Sequence, residues 1–145
     1  MTYENILNTL SPEIDKILSL TEKFLTFPEK NQIVMSASDE DIKKAYIRYR
    51  RFTGKLLERL GAADMLAAEL SALVCLADTQ MDNEELSRAS LLLDRFLLWR
   101  GALSEFMRAT DLLFTKNKSD FRYATLIANT QKFYESTKFL KGSLK

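Results

Sequence analysis

Apolar residues recur along this chain at intervals of three and four positions rather than in strict alternation, so the elements predicted are helices. Ile14, Ile17, Leu18, Thr21, Phe24 and Leu25 keep this period up to Pro28. Ser11-Pro12-Glu13 reads as a helix start, with serine as cap, proline in the first turn and an acid at the positive end of the dipole. Tyr3, Ile6, Leu7 and Leu10 either form a short turn before that start or extend the same helix backward. From residue 28 to 37 no period holds, and a connection is expected there, with Ile33 and Val34 tucked against the core.

Ser38 followed by Asp39, Glu40 and Asp41 opens a second helix. Its apolar side holds Ile42, Ala45, Tyr46, Tyr49, Phe52, Leu56, Leu57 and Leu60, and Gly61 is placed to close it past the C-cap. A third helix over about 63–77 puts Leu66, Leu70, Leu73, Val74 and Ala77 on one side. Asp82, with Glu85 three positions on, caps a long helix over 83–115 that has room to bend at Gly101. Here Leu86, Leu93, Phe96 and Leu97 form the main arc, while Leu91 and Leu98 project away from it. A last helix over about 120–141 carries Tyr123, Leu126, Ile127, Thr130, Phe133, Tyr134 and Leu140 inward and ends at Gly142. The fold class expected is all-α: one domain over 1–145, a single antiparallel bundle of four or five helices near 12–27, 39–60, 63–77, 83–115 and 120–141, with no strands.

Composition narrows the chemistry. With four glycines and two prolines in 145 residues, turn signals are sparse, which suits long helices. A single cysteine cannot form an internal disulfide, so a cross-linked secreted scaffold is excluded. Cys75 reads as a small half-buried residue, not a nucleophile. No basic stretch followed by an apolar core opens the chain, and a cytoplasmic location is the expectation. The chain has no histidine, which removes the commonest general base and metal ligand and rules out histidine-activated serine or cysteine catalysis. The four glycines stand apart, so no phosphate-cradling loop exists, and neither a cofactor nor a small-molecule substrate is indicated.

Charge is unevenly spread. Net charge is +1, yet residues 42–61 hold seven basic side chains and one acid. Lys44, Arg48, Arg51, Lys55 and Arg59 fall on one helical stripe, and like charges four apart cost a few tenths of a kcal/mol per pair. The stripe is either balanced by the chain's own acids or left as a solvated face, or it meets a partner protein, a nucleic acid or a membrane surface. Segment charges of −5, +6, −5 and +5 over 1–41, 42–61, 62–115 and 116–145 favour the first. Basic helices would then lie against acidic ones.

Two further features have candidate roles. Leu91, Leu98 and Trp99 mark a partner-binding side of the long helix, with a second copy of the chain as one expected partner, and burial of that helix within the one bundle is the other reading. The turn Asp78-Thr79-Gln80-Met81-Asp82-Asn83-Glu84-Glu85 concentrates carboxylates, although the glycine and final acid of an EF-hand loop are missing. With the preceding run Ala72-Leu73-Val74-Cys75-Leu76-Ala77, it resembles the acidic turn of the tellurite-resistance bundle family. That resemblance implies a cation held by Asp78, Asp82 and Glu85, while a plain capped turn has the same letters. The functional expectation is a non-enzymatic interaction protein, adaptor or regulatory, that self-associates. The alternatives are an anion-surface binder working through 42–61 and a cation-responsive bundle.

Overall fold

The structure is a computed structural model that describes residues 2–27, 38–76, 81–115 and 121–144. Among these residues there are four helices and no strand: α1 (Tyr3–Leu25), α2 (Asp39–Cys75), α3 (Asn83–Thr115) and α4 (Tyr123–Gly142). The 28–37 connection, with Ile33 and Val34, lies outside the described residues.

Local rules explain the helix ends, and they correct two expected boundaries. Ser11 is not a cap. The first helix begins at Tyr3, where the Asn5 N–H donates to Thr2 Oγ1 at 3.2 Å, and Pro12 sits inside it. Tyr3, Ile6 and Leu10 lie on the same buried face as Ile14 and Ile17, so burial carries the helix through the proline. Pro12 is exposed, and water can serve the carbonyl its missing N–H leaves free. Gly61 does not close a helix either. Leu56, Leu60, Ala63, Leu66, Ala67 and Leu70 continue one buried face across it, and no glycine adopts positive φ. The expected second and third helices are therefore one element.

At its N-terminus α2 has a complete capping box. The Asp41 N–H donates to Ser38 Oγ, and the Ser38 N–H donates to the Asp41 carboxylate, both at 3.2 Å. At the start of α3 the Glu85 N–H donates to Asp82 Oδ1 at 2.8 Å, the cap read from the sequence. That helix runs unbroken through Gly101. The last helix starts at Tyr123, three residues later than expected, and Gly142 is its final residue.

Each helix packs on two others: α1 on α2 and α4, and α3 on α2 and α4. Residues meet in opposite order along each junction. Phe24 and Leu20 of α1 meet Phe52 and then Lys55 of α2. Asp64 and Tyr46 of α2 meet Arg100 and Phe114 of α3. Between α3 and α4, Arg95 Nη1 donates to Ser143 Oγ at 2.9 Å and Phe106 stacks on Phe133 at 5.3 Å.

Aromatic rings cross the core from helix to helix. Phe24 of α1 stacks on Phe52 of α2 at 4.7 Å, Phe52 meets Phe106 of α3 edge-on at 5.9 Å, and Phe106 stacks on Phe133 of α4. Each such pair adds about 0.5–1.5 kcal/mol beyond the area it buries. Buried threonines need partners, and four of them find one in their own helix: the Thr53 hydroxyl donates to the Arg50 carbonyl at 3.2 Å. The hydroxyls of Thr21, Thr130 and Thr137 donate to the carbonyls of Ile17, Leu126 and Phe133 at 2.7–2.9 Å.

Tyr49 ties α2 to α3. Its hydroxyl donates to Asp111 Oδ1 at 2.8 Å, and burial, followed by that bond, pushes the phenol well above its usual range. Because the native state favours the protonated phenol, this stability is fully present below about pH 10, the unfolded value, and is lost as pH rises beyond it. Tyr49→Phe is expected to cost about 1 kcal/mol near neutrality and to flatten the alkaline decline in Tm. Tyr3 and Tyr123, also raised by burial, leave a residual decline. An unchanged alkaline profile would assign that decline to other groups.

Candidate anion-binding furrow

Two neighbouring ridges on α1 carry opposite charges. Asp15 and Glu22, seven residues apart, share one ridge, and both engage α4. Lys141 Nζ lies 2.9 Å from Asp15 Oδ2, and the Tyr134 hydroxyl donates to Glu22 Oε1 at 2.6 Å. The Glu22 carboxylate in turn raises the Tyr134 phenol above its ordinary range. Lys16 and Lys23 each follow one residue later, a turn of about 100° around the axis, and they face α2.

This orientation speaks against internal neutralisation of the basic stripe and fits the other expectation, a solvated face. Lys44, Arg48, Arg51, Lys55 and Arg59 are all exposed along one side of α2, as the period predicts. The neighbouring helix offers them lysines. Among the described residues, none of the five forms an ion pair with a carboxylate. Three of the four acids of α1 are engaged elsewhere, Asp15 and Glu22 with α4 and Glu13 with Lys16, whose Nζ lies 3.5 Å from Glu13 Oε1.

The surface between α1 and α2 is concave. One depression of about 250 Å³ is lined by Lys23, Arg48, Arg51 and Lys55, with Phe24, Phe27 and Phe52 among its apolar residues. A second, of about 390 Å³, shares Leu20 and Lys55 with the first and adds Lys16, Ser19, Glu58 and Arg59. The Arg48 guanidinium lies over the Phe27 ring at 5.3 Å. That contact orders a flexible side chain while leaving its N–H donors available. The stripe extends roughly 22 Å from Lys44 to Arg59 at 1.5 Å per residue.

Tyr46 and Leu57, placed in the apolar arc by the sequence, are 42% and 49% exposed and lie outside the buried face. Lys16, Lys23 and Phe27 belong to the furrow but were not among the sequence candidates. Their spacing with Leu20 puts them on one helical face, a visible signal, but nothing in the sequence names the helix that face meets.

The other candidates divide. Trp99 is buried, and its indole Nε1–H donates to Thr137 Oγ1 at 2.9 Å. It belongs to the core and cannot meet a partner, because Leu92, Phe96, Trp99, Leu103 and Phe106 form the inward arc of α3. Leu97, expected in that arc, is 59% exposed. Leu91 and Leu98 do point outward, at 48% and 72% exposure. Asp78 lies outside the described residues, Asp82 serves as the cap of α3 and Glu85 is half-buried. Among the described residues no three metal-ligating side chains cluster. Cys75 is exposed at the end of α2, not half-buried.

Among the described residues no helix is long and apolar enough to cross a membrane. No family model, curated protein or solved structure matches the chain.

Proposed function

We propose that this chain is an antiparallel four-helix bundle that works by binding, and that it docks an anionic macromolecule along the furrow between α1 and α2. One observation carries this reading: α1 turns Asp15 and Glu22 to α4 and Lys16 and Lys23 to α2, so the two helices pool positive charge that Glu13, paired with Lys16, offsets only in part. Like charges brought together oppose folding, and an anionic partner would relieve them. Charge of this kind raises the rate of encounter and sets register more than it sets final affinity. Binding should weaken steeply with salt, because the cations are exposed.

Retention on immobilised heparin at low ionic strength tests the reading. The wild type should bind, and Arg51→Glu with Lys55→Glu should weaken binding at least tenfold while helicity is unchanged. Equal retention of wild type and variant, or no retention of the wild type, would remove the furrow from the function.

A second reading concerns self-association, and a separate observation favours it. Arg95 lies over Phe139 at 5.1 Å and shares a helical face with Leu91 and Leu98, so three exposed apolar side chains form one patch across α3 and α4. Exposed apolar patches mark interfaces. Leu98→Glu is expected to halve the solution mass measured by light scattering. A wild type already at monomer mass would end this second reading.

A further inference from the structure

We propose that the occupant of the furrow is single-stranded nucleic acid, held by its phosphates with its bases against the apolar floor; this rests on the anionic-partner reading above. The shape of the furrow suits a single strand. Cations rise from both walls, Lys16 and Lys23 from α1 and Arg48, Arg51, Lys55 and Arg59 from α2. A narrow strand lying between the walls meets both rows. A membrane is flat and would meet only the tips, whereas an acidic helix, about 10–12 Å across, would ride on the rims.

The spacing of the cations suits a single strand too. Arg48, Arg51, Lys55 and Arg59 follow at steps of three, four and four residues, about 4.5–6 Å along the axis. That is wider than the roughly 3.4 Å rise per nucleotide of a stacked duplex strand, and it suits an extended strand.

The floor of the furrow is apolar. Leu20 and Phe27 are half-buried beneath the cations, and the Arg48 guanidinium is already ordered on Phe27. A charged groove combined with planar groups is how single strands are bound without sequence preference. Ser19 is the one uncharged hydrogen-bonding side chain along the two depressions, so base identity should matter little. Glu58 lines the same depression as Lys55 and Arg59, and its carboxylate opposes phosphate at that point of the track.

Fluorescence anisotropy with a labelled oligothymidylate tests the inference, with the same length as duplex, polyglutamate of equal charge and phosphatidylserine vesicles as competitors. The single strand should bind tightest. Its log K should fall with log salt at a slope of about −2 to −3, as expected for three to four phosphates at roughly 0.7 each. Arg51→Gln should reduce that slope by about 0.7. Phe27→Ala should weaken oligothymidylate binding about fivefold or more, leaving the slope and heparin retention as they are. Polyglutamate or vesicles competing as well as the single strand would overturn this inference and leave the furrow intact. So would Phe27→Ala binding as wild type does. Failure of heparin and oligonucleotide together would remove both.

Discussion

Trp99→Ala is expected to lower the unfolding free energy by about 3–5 kcal/mol, the largest loss of any single truncation considered. Trp99 is among the largest fully buried side chains, with Phe96 at 5.5 Å and Phe133 at 6.0 Å. Removing it opens a cavity between α3 and α4 and leaves the Thr137 hydroxyl without its indole donor. Against a total stability of about 5–15 kcal/mol, such a loss leaves the domain barely folded at best. Trp99→Phe separates the two contributions by keeping an aromatic body and deleting the hydrogen bond. Urea denaturation measures both. A cost below about 1 kcal/mol for the alanine variant would mean that Trp99 lies at a surface, as a partner-binding role would require.

Replacing Gly54, Gly61 and Gly101 together by alanine is expected to stabilise the protein by about 2–3 kcal/mol, near 1 kcal/mol each. All three lie within helices, none has positive φ, and an added Cβ would meet nothing within 4 Å at any of them. Glycine there costs backbone entropy and makes no close approach. Gly61 is the most informative of the three. If it ended a helix in the left-handed conformation, alanine would destabilise the protein instead. The sign of that single substitution, read from the midpoint of denaturation, decides whether α2 is one helix or two.

Periodicity made most of the architecture legible, and the errors came where a local signal competed with it. The letters Ser11-Pro12-Glu13 are those of a helix start, but Tyr3, Ile6 and Leu10 had already set the buried face, and burial outweighed the cap. Gly61 looks like a stop, yet Ala63, Leu66 and Leu70 keep the face of Leu56 and Leu60. In α3 apolar residues surround the axis, so the period could not choose between Trp99 and its neighbours Leu97 and Leu98. The tertiary contacts with Phe133 and Thr137 made the choice.

Half of the candidate site was likewise readable. The stripe from Lys44 to Arg59 needs only the geometry of one helix. What faces that stripe depends on how α1 is rotated, and the −5 charge of residues 1–41 pointed to acids. Net segment charge is blind to azimuth. Asp15 and Glu22 lie on one ridge of α1 and Lys16 and Lys23 on the next, and packing turned the lysine ridge toward α2.

The Tm of Arg51→Glu relative to wild type, measured at neutral pH and low ionic strength, tests the pooling of positive charge most directly. An acid placed among Lys23, Arg48 and Lys55 should raise Tm, and the gain should shrink as salt is added. A lower Tm for Arg51→Glu in low salt would show that Arg51 is already balanced by the chain's own carboxylates, in contradiction to an unpaired basic furrow.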